Sequence, residues 1–122
     1  MGSFLFHAVD NRAVPQFEVR PDARARAWLT SVPGRTWVIA YDVHRCCGGG
    51  KICRATVRDR KPADRPDDYV PVALDDGTSL LIDSRAARRL PSRFGLTVRG
   101  LGPLRHLDLE LDGEQWGELL YT

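Results

Sequence analysis

Along this chain apolar and polar positions alternate in short blocks, and a helical spacing is confined to two places. Phe17-Glu18-Val19 alternates and suits a sheet edge. Pro21 fits the first position of a helix and Asp22 its positive end. A helix is therefore expected over 21–32, with Ala23, Ala27, Trp28 and Val32 at helical spacing, Arg24 and Arg26 toward water, and Pro33-Gly34 as its stop. β-Branched and aromatic residues fill 36–43 and return at 52–57, which predicts a hairpin.

The charged stretch 58–68, with Pro62 and Pro66, reads as an exposed loop. Strands are expected over 69–74 and 79–83, joined through Asp75-Asp76-Gly77, with Pro71 suggesting an edge or a bulge. Ser84 can cap a short helix over 85–90 that Pro91 closes. Strands over 96–98, 107–111 and 116–121 finish the chain, the last two joined through Asp112-Gly113. The expected fold class is α+β: a single-layer, mostly antiparallel or mixed sheet with one longer and one short helix. The domain covers 17–122, and 1–16 reads as a loose N-terminal arm.

Length and composition leave the cysteines free for chemistry, since 122 residues with 43% hydrophobic content can bury a core without disulfide or metal staples. Three cysteines are too few for a secreted disulfide framework, and Met1-Gly2-Ser3-Phe4 lacks the basic stretch and apolar core of a signal peptide. A reducing, cytoplasmic setting is expected. No apolar run approaches the ~20 residues that cross a bilayer, so no membrane role is expected. The net charge of +2 comes from nearly balanced acids and bases, and aspartates interrupt the arginines throughout. That pattern lacks the basic stripe with interleaved aromatics that nucleic-acid binding would want.

All three cysteines fall in one glycine-rich turn at the end of the 36–43 strand, Cys46-Cys47-Gly48-Gly49-Gly50-Lys51-Ile52-Cys53. Thiols act as ligands or nucleophiles in the thiolate form, and Arg45, Lys51 and Arg54, with the exposed backbone of Gly48, Gly49 and Gly50, are surroundings that favour it. Cys46 and Cys53 framing the hairpin mouth, His44 beside them and Cys47 swung in would offer three sulfurs and one nitrogen. That soft donor set suits zinc or an iron–sulfur cluster. The alternative is a redox or sulfur-handling protein without metal, in which Cys46 or Cys47 attacks and Cys53 resolves the disulfide or persulfide. A plain packing role for the cysteines is the third reading.

The lysine after the three glycines does not make a phosphate loop, because a longer glycine spacing, a following Ser or Thr and a helix are missing. His7 and His106 lie far from the cysteines in sequence and read as surface or satisfied side chains. Trp28, Trp37 and Trp116 sit in periodic apolar patterns and read as core. No nucleophilic triad or carboxylate pair stands out, so a non-enzymatic or accessory role is favoured over catalysis.

The order of elements resembles the HesB-like A-type iron–sulfur carrier family, and more narrowly its small Cys-Cys-Gly members, over Phe17 to Leu111. Phe17-Glu18-Val19-Arg20-Pro21-Asp22-Ala23 is similar to the family's opening strand and helix. Cys46-Cys47-Gly48-Gly49 takes the place of its first glycine-flanked cysteine, and Asp76-Gly77-Thr78-Ser79-Leu80-Leu81-Ile82-Asp83 is similar to its turn and strand before a helix. The resemblance implies Cys46 or Cys47 as a cluster ligand, with metal or sulfur transfer to a protein partner. Family carriers complete the ligand set with a Cys-Gly-Cys element near the C-terminus, whereas Leu107 to Thr122 holds no cysteine here. Extra thiolates from a homodimer are one way to complete the set.

Overall fold

The structure is a computed structural model that describes residues 17–45, 51–74 and 77–121, the side chains of 44, 45, 51, 52 and 121 excepted. The arm expected over 1–16 and the Asp75-Asp76 part of the turn lie outside the described residues.

Two sheets share the strands among the described residues, correcting the expected single layer. The first is three-stranded, in the order β1 (Glu18–Pro21), β6 (Arg93–Arg99), β7 (His106–Glu110). The second is four-stranded, in the order β3 (Lys51–Asp59), β2 (Thr36–Arg45), β5 (Ser79–Asp83), β4 (Tyr69–Ala73). Both are mixed: β1 runs parallel to β6 and β2 parallel to β5, while the other neighbours are antiparallel. Pro71 lies on β4, an edge strand, where the missing N–H of proline is tolerated.

Helix α1 (Ala23–Thr30) starts two residues later than expected. Pro21 closes β1, and Asp22 is the N-cap, accepting from the Ala25 N–H at 2.8 Å. The other carboxylate oxygen of Asp22 accepts from Thr97 Oγ1 at 2.6 Å, tying the helix start to β6. The buried pair is Ala25 and Leu29, four residues apart on one face, and Val32 is 42% exposed. Asp83, rather than Ser84, caps the short α2 (Ser84–Ala87) by accepting from the Arg85 N–H at 2.8 Å.

The largest departure is at the C-terminal end, where the strand expected over 116–121 is helix α3 (Gly113–Tyr121). Asp112 and Gln115 cap each other: the Gln115 N–H donates to Asp112 Oδ1 at 2.8 Å, and the Asp112 N–H donates to Gln115 Oε1 at 3.0 Å. This reciprocal capping box fixes the first turn and overrides the strand-like look of the apolar residues that follow.

Among the described residues one core joins both sheets and the three helices. Ile39, Tyr41, Leu80 and Ile82 come from the four-stranded sheet, Leu96 and Leu109 from the three-stranded sheet, Leu29 from α1, Ala86 from α2 and Leu119 from α3. The stretch 58–68 is largely exposed, as expected, and it is pinned by one carboxylate. Asp64 accepts two bonds from Arg58 at 2.8 Å each, one from the Lys61 N–H at 2.7 Å and one from Tyr69 Oη at 3.0 Å. The Arg58 guanidinium and these donors hold the Asp64 carboxyl well below the usual carboxylate range. No helix among the described residues is long and apolar enough to cross a membrane.

Candidate functional site

The expected hairpin is present and extends further than its apolar pattern indicated, because the ladder between β2 and β3 continues to the pairs His44↔Ile52 and Arg45↔Lys51. Cys53 stands opposite Val43, two pairs inside that end, rather than at the rim facing Cys46. Cys46, Cys47, Gly48, Gly49 and Gly50 lie outside the described residues, as do the side chains of His44, Arg45 and Lys51. Of the expected donors, the Cys53 side chain is described: it is half-buried, a free thiol, and packs against the core. Among the described residues no three His, Cys, Asp or Glu side chains gather around a point that could hold a metal ion.

The surroundings of Cys53 follow from the register. Tyr41 pairs with Ala55, so Tyr41 and Cys53 share one face of the sheet as diagonal neighbours, within reach of an aromatic side chain. The Cys53 side chain acts electrostatically on the Tyr41 phenol. Tyr41 is 2% exposed, and its Oη–H donates to the Leu119 carbonyl in the last turn of α3 at 2.6 Å. A phenol has one proton. With that proton on Leu119, the lone pairs of Tyr41 Oη are left as acceptors.

Burial pushes the Tyr41 phenol up to about 12, and the Cys53 thiol beside it pushes in the same direction. Arg89 and Arg85 oppose this, their guanidinium carbons lying 5.6 and 5.7 Å from the Tyr41 ring centroid. Arg85 also bonds the Tyr41 backbone carbonyl and the Asp83 carboxylate, the latter at 2.9 Å, so it links β2 to the start of α2. Arg54, expected to act on the thiols, is exposed, and strand alternation sets it on the face opposite Cys53.

A groove of about 480 Å³ runs beside Cys53, between β3, β7 and α3. Ala55, Val57, Leu107, Trp116 and Leu120 supply apolar walls, and His106 and Asp108 of β7 bring polar groups. The structure thus brings His106 to the same groove as Cys53, although the two are far apart in sequence. The His106 ring bonds the Leu104 carbonyl through Nδ1 at 2.9 Å. Trp116, read from sequence as core, packs half-buried against the core and also walls the groove. Tyr41 and Leu119 were not singled out by sequence, and the parity of the β2–β3 register is the signal that relates Tyr41 to Cys53.

Comparison of the chain with known protein families, with curated proteins and with solved structures gives no match.

Proposed function

We propose that this chain is a HesB-like accessory protein that holds a soft metal ion, zinc, or an iron–sulfur cluster at the β2–β3 turn. Cys46, Cys47 and Cys53 are the sulfur donors and His44 the nitrogen donor. The observation that carries the reading is the ladder itself. Paired strands reach Arg45 and Lys51, so two cysteines lie in the five-residue connection 46–50 and the third on the strand that leaves it. Thiolate donors favour soft metals and clusters. Arg45 and Lys51, the residues on either side of that connection, add positive charge that favours thiolates.

The family resemblance is supported by two local features. β1 leads directly into α1 over the Phe17 to Ala23 motif, and β5 ends on Asp83 at the start of α2. Cys46, Cys47 and Cys53 are all the thiols of the chain, so a cluster needing a fourth sulfur draws it from a second copy or from the protein that receives the cargo.

Anaerobic purification followed by metal and acid-labile sulfide analysis tests the proposal. A bound metal, or iron with sulfide, that is lost on Cys46→Ser supports it. Metal-free protein that takes up nothing on reconstitution contradicts it, and a disulfide or persulfide trapped on that protein assigns the turn to sulfur handling instead.

A further inference from the structure

At the turn between β6 and β7 the chain holds two leucines out of the protein. Leu101 is 86% exposed and Leu104 76%, the most exposed large apolar side chains among the described residues. The backbone beneath them is fixed. Gly100 and Gly102 take positive φ angles of 87° and 56°, and Pro103 sets its own φ between the leucines. The Leu104 N–H donates to the Leu101 carbonyl at 3.1 Å, the Arg105 N–H donates to the Gly102 carbonyl at 3.2 Å, and the His106 ring bonds the Leu104 carbonyl through Nδ1 at 2.9 Å. Glycine, proline and these bonds make the turn, so neither leucine side chain is needed to form it.

The charge around this tip has one sign. Residues 99–106 read Arg-Gly-Leu-Gly-Pro-Leu-Arg-His, with an arginine on each side of the leucines and no carboxylate. Arg105 lies over the Trp28 ring of α1, its guanidinium carbon 5.5 Å from the centroid, and Arg24 stands one turn before Trp28 on the same helix face. Helix α1 carries no acid. The carboxylates of this region are engaged: Asp22 caps α1 and accepts from Thr97, and Asp108 is paired with Arg99 at 2.9 Å. Glu18 and Glu110 belong to the other end of the sheet, in register with Arg93 and Gly95.

We infer that the β6–β7 turn is a membrane-surface contact, in which Leu101 and Leu104 enter the interface of an anionic bilayer while Arg105 and Arg24 face its headgroup phosphates. Exposed apolar side chains mark contact surfaces, and a convex tip suits lipid, which takes in apolar groups without a matching shape. Anionic headgroups attract the neighbouring arginines over about a Debye length. The contact is peripheral and needs no spanning helix. It stands independently of the thiol cluster.

The test is co-sedimentation of the full chain with vesicles of phosphatidylcholine alone and of phosphatidylcholine and phosphatidylserine in equal parts. Wild type should bind the anionic vesicles several-fold better than the neutral ones, and the difference should shrink as salt is raised. Leu101→Ser with Leu104→Ser should weaken binding to the anionic vesicles about tenfold, with an unchanged thermal melt because both side chains are exposed. Leu101→Phe with Leu104→Phe should retain the binding, and Arg24→Gln with Arg105→Gln should lose the preference for anionic over neutral vesicles. Glycerophosphoserine, the headgroup without its tails, should not displace the protein. Wild type that stays in the supernatant with both vesicles overturns the inference, as does binding that the serine pair leaves unchanged or that the free headgroup abolishes. A lipid-free sedimentation coefficient that falls on serine substitution would assign the tip to contact between copies of the protein, and overturns it as well.

Discussion

Tyr41 and Leu119 are joined by a 2.6 Å hydrogen bond that runs from the middle of the β2 strand to the last turn of the C-terminal helix. The last carbonyls of a helix have no partner within it, and a buried one needs a donor from elsewhere. Tyr41→Phe removes that donor while keeping the ring. The expected loss is about 1–2 kcal/mol of unfolding free energy, concentrated in α3. Urea unfolding gives the total, and hydrogen exchange gives its location.

Asp64 should make part of the chain's stability depend on acid. Its carboxyl is held below the ordinary range by Arg58 first, with the Lys61 N–H and Tyr69 Oη adding to the same effect. The native state therefore loses its proton more readily than the unfolded chain, and the stabilisation is complete above the unfolded value of about 4. It is lost as the pH falls through the lower native value. Asp64→Asn should cost about 1.5–3 kcal/mol near neutrality, the range for hydrogen bonds to a charged group. Denaturant melts should show the gap between wild type and variant narrowing on acidification, and a gap independent of pH would rule out the carboxylate as its source.

The reciprocal cap of α3 makes a sharper claim about the C-terminal segment. Asp112→Ala should destabilise the protein by about 1 kcal/mol. Gln115→Ala removes the second arm of the same box, so the double variant should lose less than the two single losses added together. Thermal or urea melts of the three variants provide the comparison, and full additivity would mean that the two side chains act independently.

Gly100 has a positive φ of 87°, and a Cβ there would collide with the Leu104 backbone carbonyl across the turn between β6 and β7. Both the dihedral and the collision are backbone constraints, so no side-chain adjustment relieves them. Gly100→Ala should cost about 1–3 kcal/mol. Gly113→Ala, with open space around the new methyl group, is the control and should be close to neutral or stabilising.

Local chemistry made most strands legible, and long-range pairing did not. The residues of β2 and β3 could be located from their β-branched and aromatic content, β4 and β5 from the turn between them, and the start of α1 from the preference of Asp22 for the positive end of a helix. The division into two sheets depends on parallel pairs such as Val19↔Phe94 and Val38↔Leu81, whose partners are remote in the chain and carry no local mark. For α3 a signal was present: Asp112 and Gln115 stand at capping-box spacing. The Asp112-Gly113 pair also reads as a hairpin turn, and that reading hid the helix. At the candidate site, the grouping of the cysteines is a sequence fact. The placing of Cys53 beside Tyr41, and of His106 along its groove, comes from strand register and sheet packing, which no motif announces.

Convergence of Cys46, Cys47 and Cys53 on one ion or cluster is most directly read by alkylating the native, anaerobically prepared protein and counting labelled cysteines by mass spectrometry, with and without a chelator. All three thiols should be protected together in the loaded protein and released together when the metal is removed. Independent labelling of each cysteine, at rates the chelator does not change, would contradict it.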